Sequence, residues 1–379
     1  MSDKDNTINV FTWLRFPLAV AVVFIHSTGS AISVPAPPVG SAVWGYDVLR
    51  LLFSKIIPSF AVPIFFLMSG YFFFLNMRRA SIQDSVLETE NNGPCQWDWT
   101  SYWKKLRRRI KTLLIPYILW NILYALHLSW PTLHQALAGT GGWADWGARL
   151  QQLGGWRMLI DSHHIGHLST APVLAPLWFL RDLIVAVLAA PLLYWLIRHA
   201  RWLIIIVLGI LYAATNRQPM VGCFFWFSVG SACSIFNINV SDKCNKIRVP
   251  VLLAIMATLT AMVWLWSDGD VDKSNVGSLC KTVYILAAVP MVISTVDTLL
   301  RHRYVRDHAR LTRTAMFVYL SHIFFLTPVM RTMRILIPNG NYGLMSIRYL
   351  LVPLIVVTIC ASLHILWQTF KKRLFVPHS

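Results

Sequence analysis

Two ionisable side chains fall within the first long apolar run of the chain. Arg15 and His26 are eleven residues apart between Val10 and Ser30. On an α-helix this separation is about 1100°, roughly 20° past three turns, so both side chains share one face about 16 Å apart along the axis. An imidazole suits general base catalysis or transient group transfer near neutral pH, and a guanidinium binds anions. The pair predicts a polar track along one helix, although Arg15 snorkelling to head groups and His26 making a packing hydrogen bond is the alternative.

Other polar residues interrupt later apolar runs. Ser69 and Gly70 lie in the middle of the run from Phe60 to Met77, where close helix packing competes with a role in ligand binding. Tyr319 and His322 are three residues apart and so share one helix face, where a structural hydrogen bond is the competing interpretation. Because polar groups at bilayer depth are costly, we treat each as a candidate functional residue.

A third group opens the apolar run that begins near Leu174. Trp178 is followed closely by Arg181 and Asp182. Charged groups at bilayer depth are costly, so Arg181 and Asp182 are candidate functional residues, and the alternative is that they neutralise each other or their neighbours.

A dense cluster of cations precedes the run from Thr112 to Trp130. Its members are Lys104, Lys105, Arg107, Arg108, Arg109 and Lys111. Because arginine binds phosphate in a bidentate manner, the cluster predicts a funnel for a phosphorylated cofactor. The competing interpretation is a topology anchor that binds anionic lipid.

The sequence gives little indication of a metal site. His163, His164 and His167 include an i, i+4 pair, but Asp161 is the nearby carboxylate and there is no HExxH pattern. The six cysteines form no CxxC pair, and we predict no metal and no disulfide framework. A nucleic-acid-binding module and a glycine-rich phosphate loop are also missing from the sequence. We therefore predict no nucleic-acid partner.

The composition decides the class of protein. The 379 residues are 56% hydrophobic and only 13% charged, with a net charge of +18. Soluble domains average about 25% charged residues, so the composition excludes a cytosolic globular enzyme and a disordered chain. It predicts an all-α, polytopic transmembrane helix bundle that forms one integral-membrane domain over residues 1–379.

Apolar runs predict about ten spans. They centre on Val10–Ser30, Phe60–Met77, Thr112–Trp130, Leu174–Ile197, Trp202–Ala214, Met220–Phe236, Val249–Trp266, Leu279–Leu300, Thr314–Val329 and Ser346–Phe370. With the N-terminus in the cytoplasm, roughly two-thirds of the 34 lysines and arginines fall on the cytoplasmic side. Both termini are therefore predicted to be cytoplasmic. The run Trp202–Ala214 is short for a crossing.

Five motifs together resemble the acyltransferase-3 family of integral membrane O-acyltransferases. They are Arg15-x10-His26, the FFLMSGY stretch at 65–71, LLIPY at 113–117, WFL at 178–180 and FVY-x-x-His322 from 317. They occur in the order found in the family, and the resemblance covers about Val10 to Phe370.

The resemblance implies a bacterial inner-membrane enzyme that takes an acyl group, most often acetyl, from cytoplasmic acyl-coenzyme A. The acceptor is a hydroxyl of an envelope glycan or glycolipid on the outer side, and the surrounding partners are membrane lipids. The implied catalytic residues are His26, Arg15, Ser69, Tyr319 and His322, with His26 as base or acyl carrier. The implied coenzyme-binding residues are Arg15, Arg107, Arg108, Arg109 and Lys111, and the implied acceptor-binding residues are Trp178, Arg181 and Asp182.

Two alternatives stay open at this stage. A polytopic transporter or exporter without acyl-transfer chemistry also needs a polar track through a helical bundle. The second alternative is also an acyl-transfer enzyme, but one whose acyl group is succinyl or a longer chain, or whose acceptor is peptidoglycan or a small molecule. A basic coenzyme funnel favours the enzyme over the exporter.

Overall fold

The protein is all-helical in a computed structural model. The structure describes residues 3–83, 97–160, 171–268, 271, 274–306 and 308–375, and no β-strand occurs among them. The chain forms two compact units. The first comprises Met1–Phe65 together with Ile238–Ser379, and the second comprises Phe66–Asn237. The predicted all-α class is confirmed.

The first unit is built mainly from long helices. They are α1 (Asp3–His26), α2 (Ala42–Arg50), the start of α3 (Ala61–Gln83), α11 (Val240–Lys246), α12 (Arg248–Asp268), α13 (Asn275–Arg301), α14 (Ala309–Leu336) and α15 (Tyr342–Phe375). A π-helical turn at Leu51–Ile56 and a 3-10 turn at Ile57–Phe60 join α2 to α3. Side-chain caps start three of these helices: Trp44 N donates to Ser41 Oγ, Asp242 N to Asn239 Oδ1, and Gly277 N to Ser274 Oγ.

The core of the first unit fixes α1 against α14. Helix α14 packs along α15 and also against α1. Val23 of α1, Val318 of α14 and Val356 of α15 are buried in one apolar cluster. His26 lies three residues beyond Val23 and His322 four residues beyond Val318, so this packing brings the two histidines to the same level.

The second unit contains the remaining helices. They are the rest of α3, α4 (Trp99–Arg109), α5 (Ile115–Leu137), α6 (Trp143–Gln152), α7 (Trp178–Leu188), α8 (Ala190–Ala200), α9 (Trp202–Ala214) and α10 (Pro219–Ile235). A π-helical turn at Ile110–Leu114 joins α4 to α5, and 3-10 turns occupy Gly155–Leu159 and Ala175–Leu177. Asp98 caps α4, and hydrogen bonds from Ser101 and Thr100 lower the pKa of its carboxyl group.

Helices α3 and α10 approach each other at two glycines. A Cβ on Gly70 would lie 2.1 Å from the carbonyl oxygen of Phe227, and a Cβ on Gly230 would lie 1.9 Å from the carbonyl oxygen of Leu67. Only glycine permits backbones to come this close. The packing alternative for the Ser69-Gly70 pair is therefore observed at Gly70.

The number of spans is close to the predicted ten. In the described residues, seven helical segments are long and apolar enough to cross a membrane, and two bent pairs raise the number to nine. The pairs are α7 with α8, bent by 63°, and α10 with α11, bent by 109°. Helix α9 has 13 residues, fewer than the roughly 20 that a crossing needs.

One predicted connection is helical instead. Arg50 and Lys55 fall between the first two predicted spans in the sequence, but they lie in α2 and in the π-helical turn after it. Helix α2, the turns and α3 form one apolar helical stretch from Ala42 to Leu75. The hydropathy pattern missed this stretch because Arg50 interrupts it. Burial of Arg50 beside Asp47 removes that interruption in the fold.

Candidate active site

His26 and His322 face each other within the first unit. Their ring centroids are 5.3 Å apart, with 40° between the ring planes. His26 ends α1, and His322 lies in the middle of α14. The structure thus brings together the two predicted catalytic histidines, which are almost 300 residues apart in the sequence.

The backbone of α14 fixes the tautomer of His322. Nδ1 lies 2.8 Å from the carbonyl oxygen of Tyr319 and 3.3 Å from that of Val318. Because a carbonyl oxygen only accepts, Nδ1 carries the proton and Nε2 presents a lone pair. Nε2 is buried and has no hydrogen-bond partner in the part of the chain that the structure describes. It is therefore an acceptor poised for a donor that approaches it.

The two histidines differ in accessibility. His322 is fully buried, whereas His26 is only half-buried. A molecule that reaches the pair from outside therefore meets His26 first. His322 lies behind it, anchored by the main chain of the same helix. Tyr319 is also buried, and its ring lies 6.3 Å from that of His322.

Arg15 lies on the packed face of α1 without being sealed in the core. Phe11 and Ala19, four residues before and after it on the same face, are fully buried. Arg15 itself is exposed. Its guanidinium therefore reaches accessible space, as a ligand-binding cation requires.

A cavity of about 520 Å³ lies beside the first turns of α1, within the first unit. Its lining includes Asn9 and Trp13 of α1, Arg301 at the end of α13, and Arg303 in the turn that follows. Arg301 is paired with Asp242 and Asp297 at 2.7 Å each. Arg303 is exposed at this cavity. The volume falls within the range of about 300–1,000 Å³ typical of ligand pockets.

Sequence reasoning missed this cavity as a site. The segment that begins with the last residue of α13 is rich in arginine, but its cations were used only to predict the topology. They are Arg301, Arg303, Arg306, Arg310 and Arg313. No spacing pattern in the sequence linked these cations to Asn9 and Trp13 of α1.

The remaining predicted site residues belong to the second unit. Ser69 is half-buried on α3, one residue before the close contact at Gly70. Trp178 is half-buried at the start of α7, and its ring lies 6.3 Å from that of Phe66.

Arg181 and Asp182 form an ion pair, the alternative considered for them above. Two nitrogens of Arg181 lie 2.8 and 2.9 Å from one oxygen of Asp182. Arg181 also donates to the carbonyl of Ile160 at 2.9 Å. Asp182 is fully buried, and its second carboxylate oxygen has no hydrogen-bond partner among the described residues. That oxygen is the part of the pair still able to accept a hydrogen bond.

The predicted coenzyme funnel lies at the end of α4 and in the turn after it. Arg107, Arg108 and Lys111 are exposed, and Arg109 is half-buried. Lys105 of the same cluster donates to the carbonyl of Phe73 instead. The run therefore presents at least three accessible cations.

The described residues contain no group of three or more His, Cys, Asp or Glu side chains placed to hold a metal ion. Five cysteines within them are free: Cys223, Cys233, Cys244, Cys280 and Cys360. The histidines His163, His164 and His167 lie outside the described residues.

Comparison with known proteins shows the family. The model of the acyltransferase domain family named Acyl_transf_3 matches residues 8–367. A curated relative is the succinoglycan biosynthesis protein ExoH of Rhizobium meliloti (strain 1021), 26% identical over 260 residues. This match covers 64% of the present chain and 58% of the relative. No solved structure matches the chain.

The described residues contain at least seven apolar segments of spanning length, and this family matches almost the entire chain, which together define a multi-pass membrane protein of an acyltransferase family. The chain belongs to the acyltransferase-3 family.

Proposed function

We propose that the protein transfers an acyl group, acetyl in the simplest case, from acyl-coenzyme A to a hydroxyl of a cell-envelope glycan or glycolipid. The observation that carries the proposal is the His26–His322 pair, in which Nε2 of His322 is an unfilled acceptor. Family membership supports acyl transfer over the exporter alternative. The relative named for biosynthesis of succinoglycan, a polysaccharide, supports a glycan acceptor.

In the proposed mechanism the histidines act in series. An N–H of His26 donates to Nε2 of His322, which leaves the other ring nitrogen of His26 as the base. This arrangement follows the general pattern of a base oriented by a third group. The present ring separation of 5.3 Å closes as the substrates bind, since catalytic hydrogen bonds are often long in unliganded proteins.

The reaction then balances without a further reactant. His26 takes the proton from the acceptor hydroxyl, and the oxygen attacks the thioester carbonyl carbon. The new C–O bond forms, the C–S bond breaks, and the proton passes to the sulfur of the departing thiol. The hydroxyl of Tyr319 is the proposed donor to the negative charge that develops on the carbonyl oxygen. Ser69, on α3 in the second unit, is proposed as a further catalytic residue from the family resemblance alone. In a variant of this route, His26 carries the acyl group covalently before the acceptor hydroxyl receives it.

The donor is proposed to enter at the end of α1 that carries Trp13 and Arg15. The cavity beside Trp13 is large enough for a nucleotide-sized group, and an indole ring stacks readily on a base. Arg303 and Arg15 supply positive charge for the phosphates, and the exposed run Arg107–Lys111 is a second source. From there the pantetheine arm follows the face shared by Arg15 and His26.

The acceptor is proposed to approach from the opposite side of the membrane. Trp178 offers an aromatic face and Asp182 an unfilled carboxylate oxygen, and Arg181 holds that carboxylate in place. In this orientation both termini lie in the cytoplasm of a bacterial cell, and the membrane is the inner membrane. The cation distribution of the sequence supports this orientation.

The test uses purified protein in nanodiscs, acetyl-coenzyme A with a radiolabelled acetyl group, and an envelope-glycan extract. We expect label on the glycan with the unchanged protein. His26→Ala should reduce transfer by about 10²–10⁴-fold while coenzyme binding stays unchanged. Full transfer by His26→Ala would refute the base assignment. No turnover with acetyl, succinyl or longer donors would instead favour the exporter.

A further inference from the structure

A second, smaller cleft lies at the end of α1 that carries His26. It belongs entirely to the first unit. Ser27 and Thr28, directly after α1, line it together with Arg334 in the last turn of α14 and Arg348 near the start of α15. The cleft therefore begins one residue beyond the proposed base.

The charge of this cleft is positive and uncompensated. Its lining includes the two arginines and, among the residues that the structure describes, no aspartate or glutamate. Arg348 donates to the side-chain oxygen of Asn339 at 2.8 Å and to the carbonyl of Ile337, both of which are neutral. Arg334 is exposed. Both guanidinium charges thus remain available to an anion.

The nearby buried charges do not alter this balance. Arg50 is almost fully buried, and its charge is neutralised by Asp47 at 2.8 Å. Its Nη2 donates to main-chain carbonyls of the segment after α1, including that of Thr28 at 2.9 Å. Tyr349, which also lines the cleft, shares a hydrogen bond of 2.7 Å with Ser54. These buried contacts hold the walls of the cleft in place before a ligand arrives.

The position of the two arginines runs against the usual distribution of charge. In the proposed orientation, this end of α1 faces away from the cytoplasm, where lysine and arginine are depleted. Arg334 and Arg348 are both at this end. A ligand that requires positive charge accounts for their presence.

The size of the cleft limits the kinds of ligand that it can hold. Its volume is about 70 Å³, and about 10–15 Å³ holds one water molecule. A carboxylate or phosphate group fits this space, whereas a whole sugar does not. Guanidinium groups bind these anions by paired hydrogen bonds, and the hydroxyls of Ser27 and Thr28 add neutral polar contacts.

We infer that the cleft is a specificity subsite for a negatively charged substituent of the acceptor. In this view the protein acylates an acidic glycan, one that bears a carboxylate or phosphate close to the hydroxyl that reacts. Arg334 and Arg348 hold the anion, which sets the neighbouring hydroxyl beside His26. The inference rests on the proposed function, because it names the acceptor class for that reaction. Polar contacts at a small cleft beside the base favour a glycan over a lipid head group.

The test compares two acceptors that differ only in charge. One is an oligosaccharide of uronic acids, and the other is the same oligosaccharide with its carboxylates reduced to hydroxymethyl groups. Equilibrium binding and acyl transfer are measured with the full-length protein in nanodiscs of zwitterionic lipid. We expect the acidic form to bind at least about tenfold more tightly than the neutral form. This factor corresponds to the smallest contribution typical of a hydrogen bond to a charged group.

Two variants locate the effect. Arg334→Gln should remove the preference for the acidic form by raising its Kd and KM, while the KM of the donor stays unchanged. Arg331→Gln is the matched control, since this cation is exposed three residues earlier on α14 and does not line the cleft. It should keep the full preference.

Several results would overturn the inference. Equal binding of the two oligosaccharides would overturn the inference. If the neutral form were then acylated at the same rate as the acidic form, the proposed function would still stand. A raised KM for the donor in Arg334→Gln would show that the cleft binds an anionic group of the donor instead of the acceptor. If anionic phosphatidylglycerol in the nanodiscs abolished the preference by occupying the cleft, and Arg334→Gln removed that competition, the cleft would be a lipid head-group site. Because binding is measured without turnover, an inactive protein would refute the proposed function separately.

Discussion

At the scale of single residues, the main chain decides which nitrogen of His322 is available for chemistry. The carbonyl of Tyr319 holds the proton on Nδ1, and Nε2 is left as an acceptor in a buried position. A leucine at this position keeps an apolar side chain for packing but cannot accept a hydrogen bond from His26. This distinction separates the proposed role of His322 from packing alone.

The buried ion pair of Arg50 and Asp47 gives a prediction for stability. Arg50→Met leaves the carboxylate of Asp47, which also accepts from Ser33 N at 3.1 Å, buried without its counter-charge. Loss of one partner of a buried pair costs about 3–5 kcal/mol. Thermal unfolding in detergent should therefore show a large fall in Tm.

Lys55→Met is the control for this prediction. Lys55 is exposed in the π-helical turn directly after α2, so its replacement should change stability by less than about 0.5 kcal/mol. Adding Asp47→Leu to Arg50→Met should recover part of the loss, because no charge then remains unpaired. Equal Tm values for Arg50→Met and Lys55→Met would contradict the account.

The sequence alone was enough to find His26 and His322, since an imidazole within an apolar run is costly and therefore conspicuous. It did not show that they meet, because the contact between α1 and α14 depends on packing across almost 300 residues. Asn9 and Arg303 were missed for the same reason: each is ordinary in its own segment, and only the fold places both at one cavity.

At the scale of helices, the crossing of α3 and α10 depends on two glycines. In Gly70→Ala and in Gly230→Ala, the added methyl group meets backbone carbonyl atoms, which cannot rotate away as a side chain does. The helices must separate, and overpacking of this kind costs about 1–3 kcal/mol or more. We expect a lower Tm and a lower yield of folded protein for each variant.

Gly147→Ala on α6 is the matched control in the same unit. Outside its own turn of helix, no atom of the described residues lies within 4 Å of the added Cβ, and alanine is favoured over glycine in a helix by about 0.5–1 kcal/mol. A stability at or above that of the unchanged protein is expected. A similar loss in Gly147→Ala would show that the effect is not specific to the crossing.

Helices were easier to predict than their joints. Long apolar runs identified most spans, because burial in lipid requires about 20 apolar residues in sequence. The continuation of α2 into α3 was missed, because its cation is neutralised by a residue whose contact is visible only in the fold. The bends after α7 and α10 were missed for a similar reason, since hydropathy records composition and not direction.

At the scale of the whole molecule, α1 connects the two proposed substrate sites. One end borders the cavity beside Trp13, and the other end carries His26. Two basic segments are candidates for holding the coenzyme, and they lie in different units of the chain. Arg303 borders the cavity, and the run Arg107–Arg109 is exposed elsewhere.

This choice gives a kinetic prediction. Arg303→Gln should raise the KM for acyl-coenzyme A by about tenfold or more, since a hydrogen bond to a charged group contributes about 1.5–3 kcal/mol. The KM for the acceptor should not change. Neutralising Arg107–Arg109 tests the second segment in the same assay. A rise in both Michaelis constants would indicate disturbed folding or topology instead of a lost donor contact.

The central claim is that His26 and His322 act as one unit in which His322 orients the base, and a double-mutant cycle tests it most directly. Turnover is measured for His26→Ala, His322→Leu and the double variant, with coenzyme binding as the check on folding. Residues that act as a unit are non-additive, so we predict that the double variant is no slower than His26→Ala. Losses that multiply, or full activity in His322→Leu, would contradict the account.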